Sequence, residues 1–293
     1  MHLAERLRKA SHMMLHRRKD RFVIITEPPP PTTAAPIFIV GSPRSGTSLM
    51  RRIVDSHSRI ACPPESHFMA PLLRMLDDEP SMQGFETMGF DRRLVLARLR
   101  EFSERFFREY AKAQGKPRWA DKTPRYVDHL EAIDEMFEGR PQYVMIHRHG
   151  IDVAYSMNKA VPGWLAGIPN YSSATTPRDP IRVAAAYWRD AVEKMLAFCT
   201  KVPDRTFTLR YEELVREPAS TLQHMFTFLG EDFEEAVLRF NDLPHVEGRE
   251  DQRVPFTRTI NGASGGYRAW NQATIEVAVE EAGPAMDALG YRV

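Results

Sequence analysis

Between Val40 and Leu49 the chain reads Gly41-Ser42-Pro43-Arg44-Ser45-Gly46-Thr47-Ser48, a cation framed by two glycines and followed by two hydroxyls. Set between a strand and a helix, such a run exposes backbone N–H groups and the positive end of the helix, which together seat a phosphate. The spacing matches the phosphate loop G-x-x-x-x-G-K-[ST] except that Thr47 stands at the lysine position and the cation sits inside the loop as Arg44. The group that handles β- and γ-phosphates is missing. A donor with one 5′-linked phosphate and a second anionic group suits Arg44, the loop N–H groups, Thr47 and Ser48 better than ATP or GTP does.

The elements around this loop follow from pattern. Ile37–Val40 is a short apolar run, and Leu49, Ile53 and Val54 share one helical face after the glycine turn, so the unit reads strand, loop, helix. Helical periodicity is expected over Asp91–Ala113, Tyr126–Phe137 and Ile181–Phe198, and strands over Tyr143–His147 and Thr206–Leu209. Helices alternating with short β-rich runs predict an α/β fold, a central parallel sheet flanked by helices, with ligands at the carboxyl ends of its strands. Residues 161–180 lack periodicity and read as a long loop, functional or disordered.

Composition bounds the rest. The 293 residues suffice for a sizeable core, and 40 Lys+Arg against 39 Asp+Glu exclude a globally basic, nucleic-acid-coating protein. Apolar runs fall far short of a bilayer span. Cys62 and Cys199 form no metal or disulfide pattern, which points to a reducing, cytoplasmic compartment. Residues 1–36 differ: Arg6, Arg8, Lys9, Arg17, Arg18, Lys19 and Arg21 precede the prolines Pro28–Pro31. They read as a basic arm and Pro-rich linker ahead of a catalytic domain over 37–293. The arm is expected to be a solvated or frayed helix, with peripheral contact to anionic lipid or a partner as the second reading. His147 and His149 lack a third metal ligand, and no metal is expected.

The run Ser42-Pro-Arg-Ser-Gly-Thr-Ser-Leu-Met50 resembles the 5′-phosphosulfate loop of sulfotransferases that use 3′-phosphoadenosine 5′-phosphosulfate (PAPS), in the Arg-containing version of tyrosylprotein and bacterial members. The resemblance implies a P-loop-like three-layer sandwich and a second donor element, a strand-end Arg with a Ser eight residues later on the next helix. Tyr143–Arg148 followed by Ser156 fits it. Independently of the family, a guanidinium makes forked, charge-assisted bonds to phosphate and a helix hydroxyl adds a neutral donor.

Further roles are implied by the same likeness. Glu65 in Cys62-Pro-Pro-Glu-Ser-His67 stands where these members carry the base that deprotonates the acceptor; His67 is the alternative, and orienting Arg44 or pairing with a surface cation is the structural reading of Glu65. The two side chains share one side if the strand that begins near Ile60 continues. Lys122 in Asp121-Lys-Thr-Pro124 resembles the lysine that reaches the bridging oxygen, with Asp121 to hold it. Tyr211 resembles the residue beside the adenine. Ile260–Arg268 sits where relatives carry an RKGxxGDW loop: its glycines agree, so Gly265 is assigned to the donor, but Ile260-Asn261 replace the cations, leaving Arg258 and Arg268 as substitutes.

The expected activity is therefore in-line sulfuryl transfer from PAPS, released as PAP (3′-phosphoadenosine 5′-phosphate), to an acceptor hydroxyl on a small molecule, glycan, lipid or peptide tyrosine. Catalysis falls to Glu65, Lys122 and Arg44, and donor binding to Arg44, Ser45, Gly46, Thr47, Ser48, Arg148, Ser156, Tyr211, Gly265 and Arg268. Trp164, Tyr171, Met82, Phe85 and Met88, in two stretches read as irregular, would roof a partly apolar acceptor pocket. The competing readings are a kinase-like P-loop phosphotransferase, which Thr47 opposes, and a nucleotide-binding scaffold without turnover.

Overall fold

The computed structural model describes residues 13–18, 21–26, 35–160, 179–251, 253–257, 259–260, 262 and 264–293. Trp164, Tyr171, Arg258 and Asn261 lie outside these residues.

The strands are β1 Met13–Arg18, β2 Arg21–Thr26, β3 Ile37–Val40, β4 Ile60–Ala61, β5 Arg118–Lys122, β6 Gln142–His147 and β7 Thr206–Arg210. The α-helices are α1 Thr47–Asp55, α2 Met69–Arg74, α3 Glu79–Thr87, α4 Arg92–Ala113, α5 Leu130–Met136, α6 Gly150–Ala160, α7 Pro180–Lys201, α8 Tyr211–Arg216, α9 Pro218–Leu229 and α10 Gln272–Ala288. Among the described residues the central sheet has the order β4-β5-β3-β6-β7, every pair parallel. Parallel pairing sends all five carboxyl ends to one edge, with β3 in the middle carrying the phosphate loop.

Strand alternation divides the core. Ile37 and Ile39 pack with Met50 and Ile53 of α1 and with Phe226 of α9 on one face. Phe38 and Val40 face Phe107 of α4, Tyr143 and the α7 stripe of Ala184, Trp188 and Met195 on the other. The result is the expected three-layer sandwich. Asp91 caps α4 by accepting from the Leu94 N–H at 2.8 Å, and Asp179 does the same for α7 at Ile181.

Three local expectations are corrected. The arm contains an antiparallel strand pair, with Met13 opposite Thr26 and Arg18 opposite Arg21, instead of a helix. Its β-branched and aromatic Phe22–Thr26 run has the higher strand preference. The expected helix over 126–137 starts as a 3-10 turn, Pro124–His129, before α5, because Pro124 supplies the first turn's φ but no N–H. Met82 and Phe85 lie on α3, a helix started by Asp78, whose carboxylate accepts from the Ser81 N–H at 3.0 Å. No helix among the described residues is long and apolar enough to cross a membrane.

Candidate active site

At the carboxyl edge of the sheet lies a cavity of about 370 Å³ whose walls include Arg44, Thr47, Ser48, Glu65, Arg148, Ser156 and Tyr211. These come from four strand ends and the helices that follow, which is where a parallel sheet offers free N–H groups and room.

The phosphate loop closes over β3. Gly46 caps α1 at φ +97°, a left-handed conformation, and a Cβ there would lie 2.5 Å from Tyr211 Cδ2. With glycine at the cap, no side chain bonds the first-turn N–H groups of α1. Arg44 also takes a positive φ, +71°, and its guanidinium crosses the cavity to donate to Ser156 Oγ at 3.1 Å and pair with Asp251 at 2.9 Å. Arg148, at the end of β6, lies over the Tyr211 ring at 4.6 Å and donates to the Arg44 carbonyl at 3.4 Å. Burial raises the Tyr211 phenol, opposed by Arg148.

Lys122, last residue of β5 and fully buried, donates to Glu65 Oε1 at 2.6 Å and to Ser48 Oγ at 3.3 Å. Glu65 Oε2 meets His67 Nε2 at 2.9 Å. Glu65 thus holds Lys122 and His67, and Arg44 goes to Asp251. The chain does not stay extended through these residues: Phe68 N–H bonds the Ser66 carbonyl at 2.7 Å across His67, whose φ is +56°. That is a three-residue turn with its middle residue in a strained region.

Asp121 does not hold the Lys122 ammonium, because neighbouring residues of a strand point to opposite faces. Its carboxyl accepts from Ser66 Oγ at 3.0 Å, and Ser66 also meets Tyr126 OH at 2.8 Å. Desolvation lifts the Asp121 carboxyl to about 7. His147 is pushed down to about 4 by burial, and its Nδ1 lies 3.1 Å from Tyr291 OH; His149 Nε2 lies 2.9 Å from the Arg292 carbonyl. Both imidazoles dock the C-terminal segment.

Several contributors carry no local motif. Asp152, on α6, accepts from the Gly265 N–H at 2.7 Å and anchors the glycine loop. Arg249, Glu250, Asp251 and Arg253 form a strap at the cavity. Its Arg249 carbonyl accepts from the Glu65 N–H at 3.0 Å, and Asp251 N–H donates to Ser48 Oγ at 3.2 Å. Glu250 joins Arg52 at 2.5 Å and Arg51 at 3.4 Å. Adjacent acids beside arginines were the available signal, but their partners lie on α1. Of the residues assigned to the donor, Gly265 and Arg268 fall outside the cavity wall, which takes Gly262 and Gly266 from that loop. Ser45 is buried beneath it with an Oγ that bonds no described residue.

The Sulfotransferase family model matches residues 36–235. Protein-tyrosine sulfotransferase 1 of Danio rerio is 27% identical over 213 residues, 71% of this chain and 56% of that protein. Among solved structures, the sulfotransferase domain of the Synechococcus PCC 7002 olefin synthase superposes with a TM-score of 0.61 at 23% identity, covering 90% of this chain and 98% of the domain. A mouse sulfotransferase complexed with PAP gives 0.51 at 14% identity over 93% and 95% of the two chains. The structural likenesses concern the fold, and the family match spans all five strands of the parallel sheet and the cavity wall from Pro43 to Tyr211. The chain belongs to the sulfotransferase family.

Proposed function

We propose that this protein transfers a sulfuryl group from PAPS to an acceptor hydroxyl. The observation that carries the reading is the chain Glu65–Lys122–Ser48, which joins an acceptor-side carboxylate to the phosphate loop through one buried ammonium. Bound PAPS would supply the activated sulfuryl group on its 5′-phosphate. The residues present suit it: uncapped N–H groups of α1, a glycine with no room for a Cβ, a Ser45 Oγ that bonds no described residue, Arg44 bonded to Ser156, and Arg148 in the same wall.

Arg44, Thr47, Ser48 and the loop N–H groups would bind the 5′ end, Arg148 and Ser156 the 3′-phosphate, and the Tyr211 ring would border the base. Glu65 would take the acceptor's hydroxyl proton on its carboxylate as the acceptor oxygen attacks sulfur. Lys122 and Arg44 would offset the charge that collects on the departing phosphate oxygen. The catalytic unit is residues 37–293, with residues 1–36 as an arm suited to anionic lipid. Unpaired Cys62 and Cys199 suit a reducing compartment.

For the acceptor we infer an aromatic or apolar body bearing the hydroxyl. Phe68, next to His67, packs against Phe102 and Phe106 at 6.3 and 5.9 Å, and those two rings are about half exposed. Peptide tyrosine, the acceptor named for the zebrafish relative, is the first candidate.

The test incubates the protein with PAPS, ATP or neither and a panel of phenols, tyrosine peptides, sugars and lipid alcohols, with and without a chelator. Expected are an SO3 mass gain, PAP release and no chelator effect. Phosphoryl transfer from ATP would support the kinase-like alternative, and donor binding without turnover the scaffold.

A further inference from the structure

The family's glycine loop brings cations to the donor's 3′-phosphate, and here that loop brings none to the cavity from its described residues. Ile260 is buried in the core beside Leu209 and Tyr211. Arg268 turns away from the cavity wall onto the Tyr267 ring, 5.8 Å from its centre. Of the other cations in the cavity wall, Lys159 lies over the Tyr155 ring, 4.6 Å from its centre, and Arg44 is assigned to the 5′ end, so a dianionic phosphate on Arg148 and Ser156 would be under-matched in charge.

We propose that Arg253 is the second cation of the 3′-phosphate seat, delivered by the Arg249–Arg253 strap; this rests on the PAPS reading above. Arg253 lines the cavity and its NH2 donates to Ser156 Oγ at 3.4 Å, the same oxygen that receives Arg44 Nε at 3.1 Å. A serine hydroxyl has two lone pairs and one proton. With both lone pairs facing guanidinium N–H groups, the O–H of Ser156 is left to donate, and an anion is the acceptor that suits a group set between two arginines.

The strap makes this position dependable. Glu250 is buried against Arg51 and Arg52, Asp251 N–H is tied to Ser48, and Arg253 N–H donates to Asp251 Oδ1 at 3.1 Å. Asp251 and the Arg253 N–H are thereby held, while the Arg253 side chain stays 70% exposed at the cavity mouth. Asp251 lies 2.9 Å from Arg44 and 3.5 Å from Arg253, so one carboxylate bridges both cations. The 3′-phosphate, with two charges and three terminal oxygens, offers the Arg253 guanidinium a stronger, forked partner and replaces Asp251 there, while Asp251 stays with Arg44.

Calorimetric titration of wild type, Arg253→Ala and Arg253→Lys with PAP and with adenosine 5′-monophosphate, which lacks only the 3′-phosphate, tests this. Wild type should prefer PAP. Arg253→Ala should lose about 10–100-fold in PAP affinity, the worth of a charge-assisted bond, with the monophosphate unchanged and Arg253→Lys in between. Unchanged discrimination in Arg253→Ala, or equal weakening of both ligands, overturns the assignment. A wild type that binds both ligands alike, or neither, instead overturns the PAPS reading. The Arg253 side chain is exposed and supports no core packing, and a melting curve for each variant verifies that it folds.

Discussion

Lys122 Nζ lies 2.6 Å from Glu65 Oε1, with the lysine side chain fully buried at the end of β5 and the carboxylate facing the cavity. A buried ammonium is costly unless paired and hydrogen-bonded, and here Glu65 pairs with it and Ser48 takes a second of its three N–H donors. The pair ties the proposed base to the phosphate loop through Ser48, so a change at either end is expected to be felt at the other. His67 holds the second carboxylate oxygen, which leaves Glu65 little rotational freedom.

Glu65→Gln keeps shape and removes basicity. The catalytic constant should fall roughly 10²–10⁴-fold while PAP affinity stays within about threefold of wild type. His67→Ala should cost less, since it removes one of two holders of Glu65. Steady-state kinetics with calorimetry reads both, and a fully active Glu65→Gln beside a dead His67→Ala would move the base to His67.

Gly46→Ala should fail for steric reasons. The added Cβ would meet Tyr211 Cδ2 at 2.5 Å, at a φ of +97° that alanine disfavours. The expectation is a melting temperature lower by on the order of 5 °C and PAP affinity reduced more than about tenfold. Gly84→Ala on α3, where nothing lies within 4 Å of the new Cβ, is the control and should be neutral or slightly stabilising.

Glu250→Gln removes one charge from a buried cluster and leaves Arg51 and Arg52 under-matched. Breaking such a pair from one side costs about 3–5 kcal/mol, moderated here because Arg51 also donates to the Cys62 carbonyl at 2.9 Å. Thermal melting should show the loss. Donor affinity should fall with it, because the strap carries Asp251 and Arg253. Normal affinity in a destabilised variant would separate the strap from the donor.

Asp121 makes stability depend on pH. Its folded-state value of about 7 exceeds the ordinary 3.8, so the folded protein keeps a proton that the unfolded chain gives up. The associated stability is fully present below about pH 4 and is lost as pH rises through about 7. Asp121→Asn keeps an acceptor for Ser66 and removes the titration. The difference in melting temperature, variant minus wild type, should therefore climb by about 5–10 °C from pH 4.5 to 8 and then flatten. A difference that stays level would show that Asp121 does not titrate in that window.

Much of the architecture was readable in the chain because it is encoded within short windows. The 3.6-residue stripe of Ala184, Trp188 and Met195, the apolar run Ile37–Val40 and the Gly41–Ser48 spacing each dictate a local conformation without help from distant residues. The approach of Arg44 to Ser156, 112 positions apart, was anticipated only through the family likeness of the two donor motifs.

Tertiary structure decided the partnerships. Glu65 could as well have oriented Arg44; it meets Lys122, 57 positions away, because β4 pairs with β5 and β5 with β3 in parallel. The left-handed turn at His67 follows a Ser66 held by Asp121, Thr123 and Tyr126, and no one of these residues announces the others. Glu250 finds Arg52 across 198 positions. Charges carry no periodicity, and a carboxylate's partner is whichever cation the packed sheet brings within reach and strips of water. The chain alone therefore determines which groups are available for sulfuryl chemistry, and the parallel sheet, by gathering its carboxyl ends at one edge, decides which of them act together.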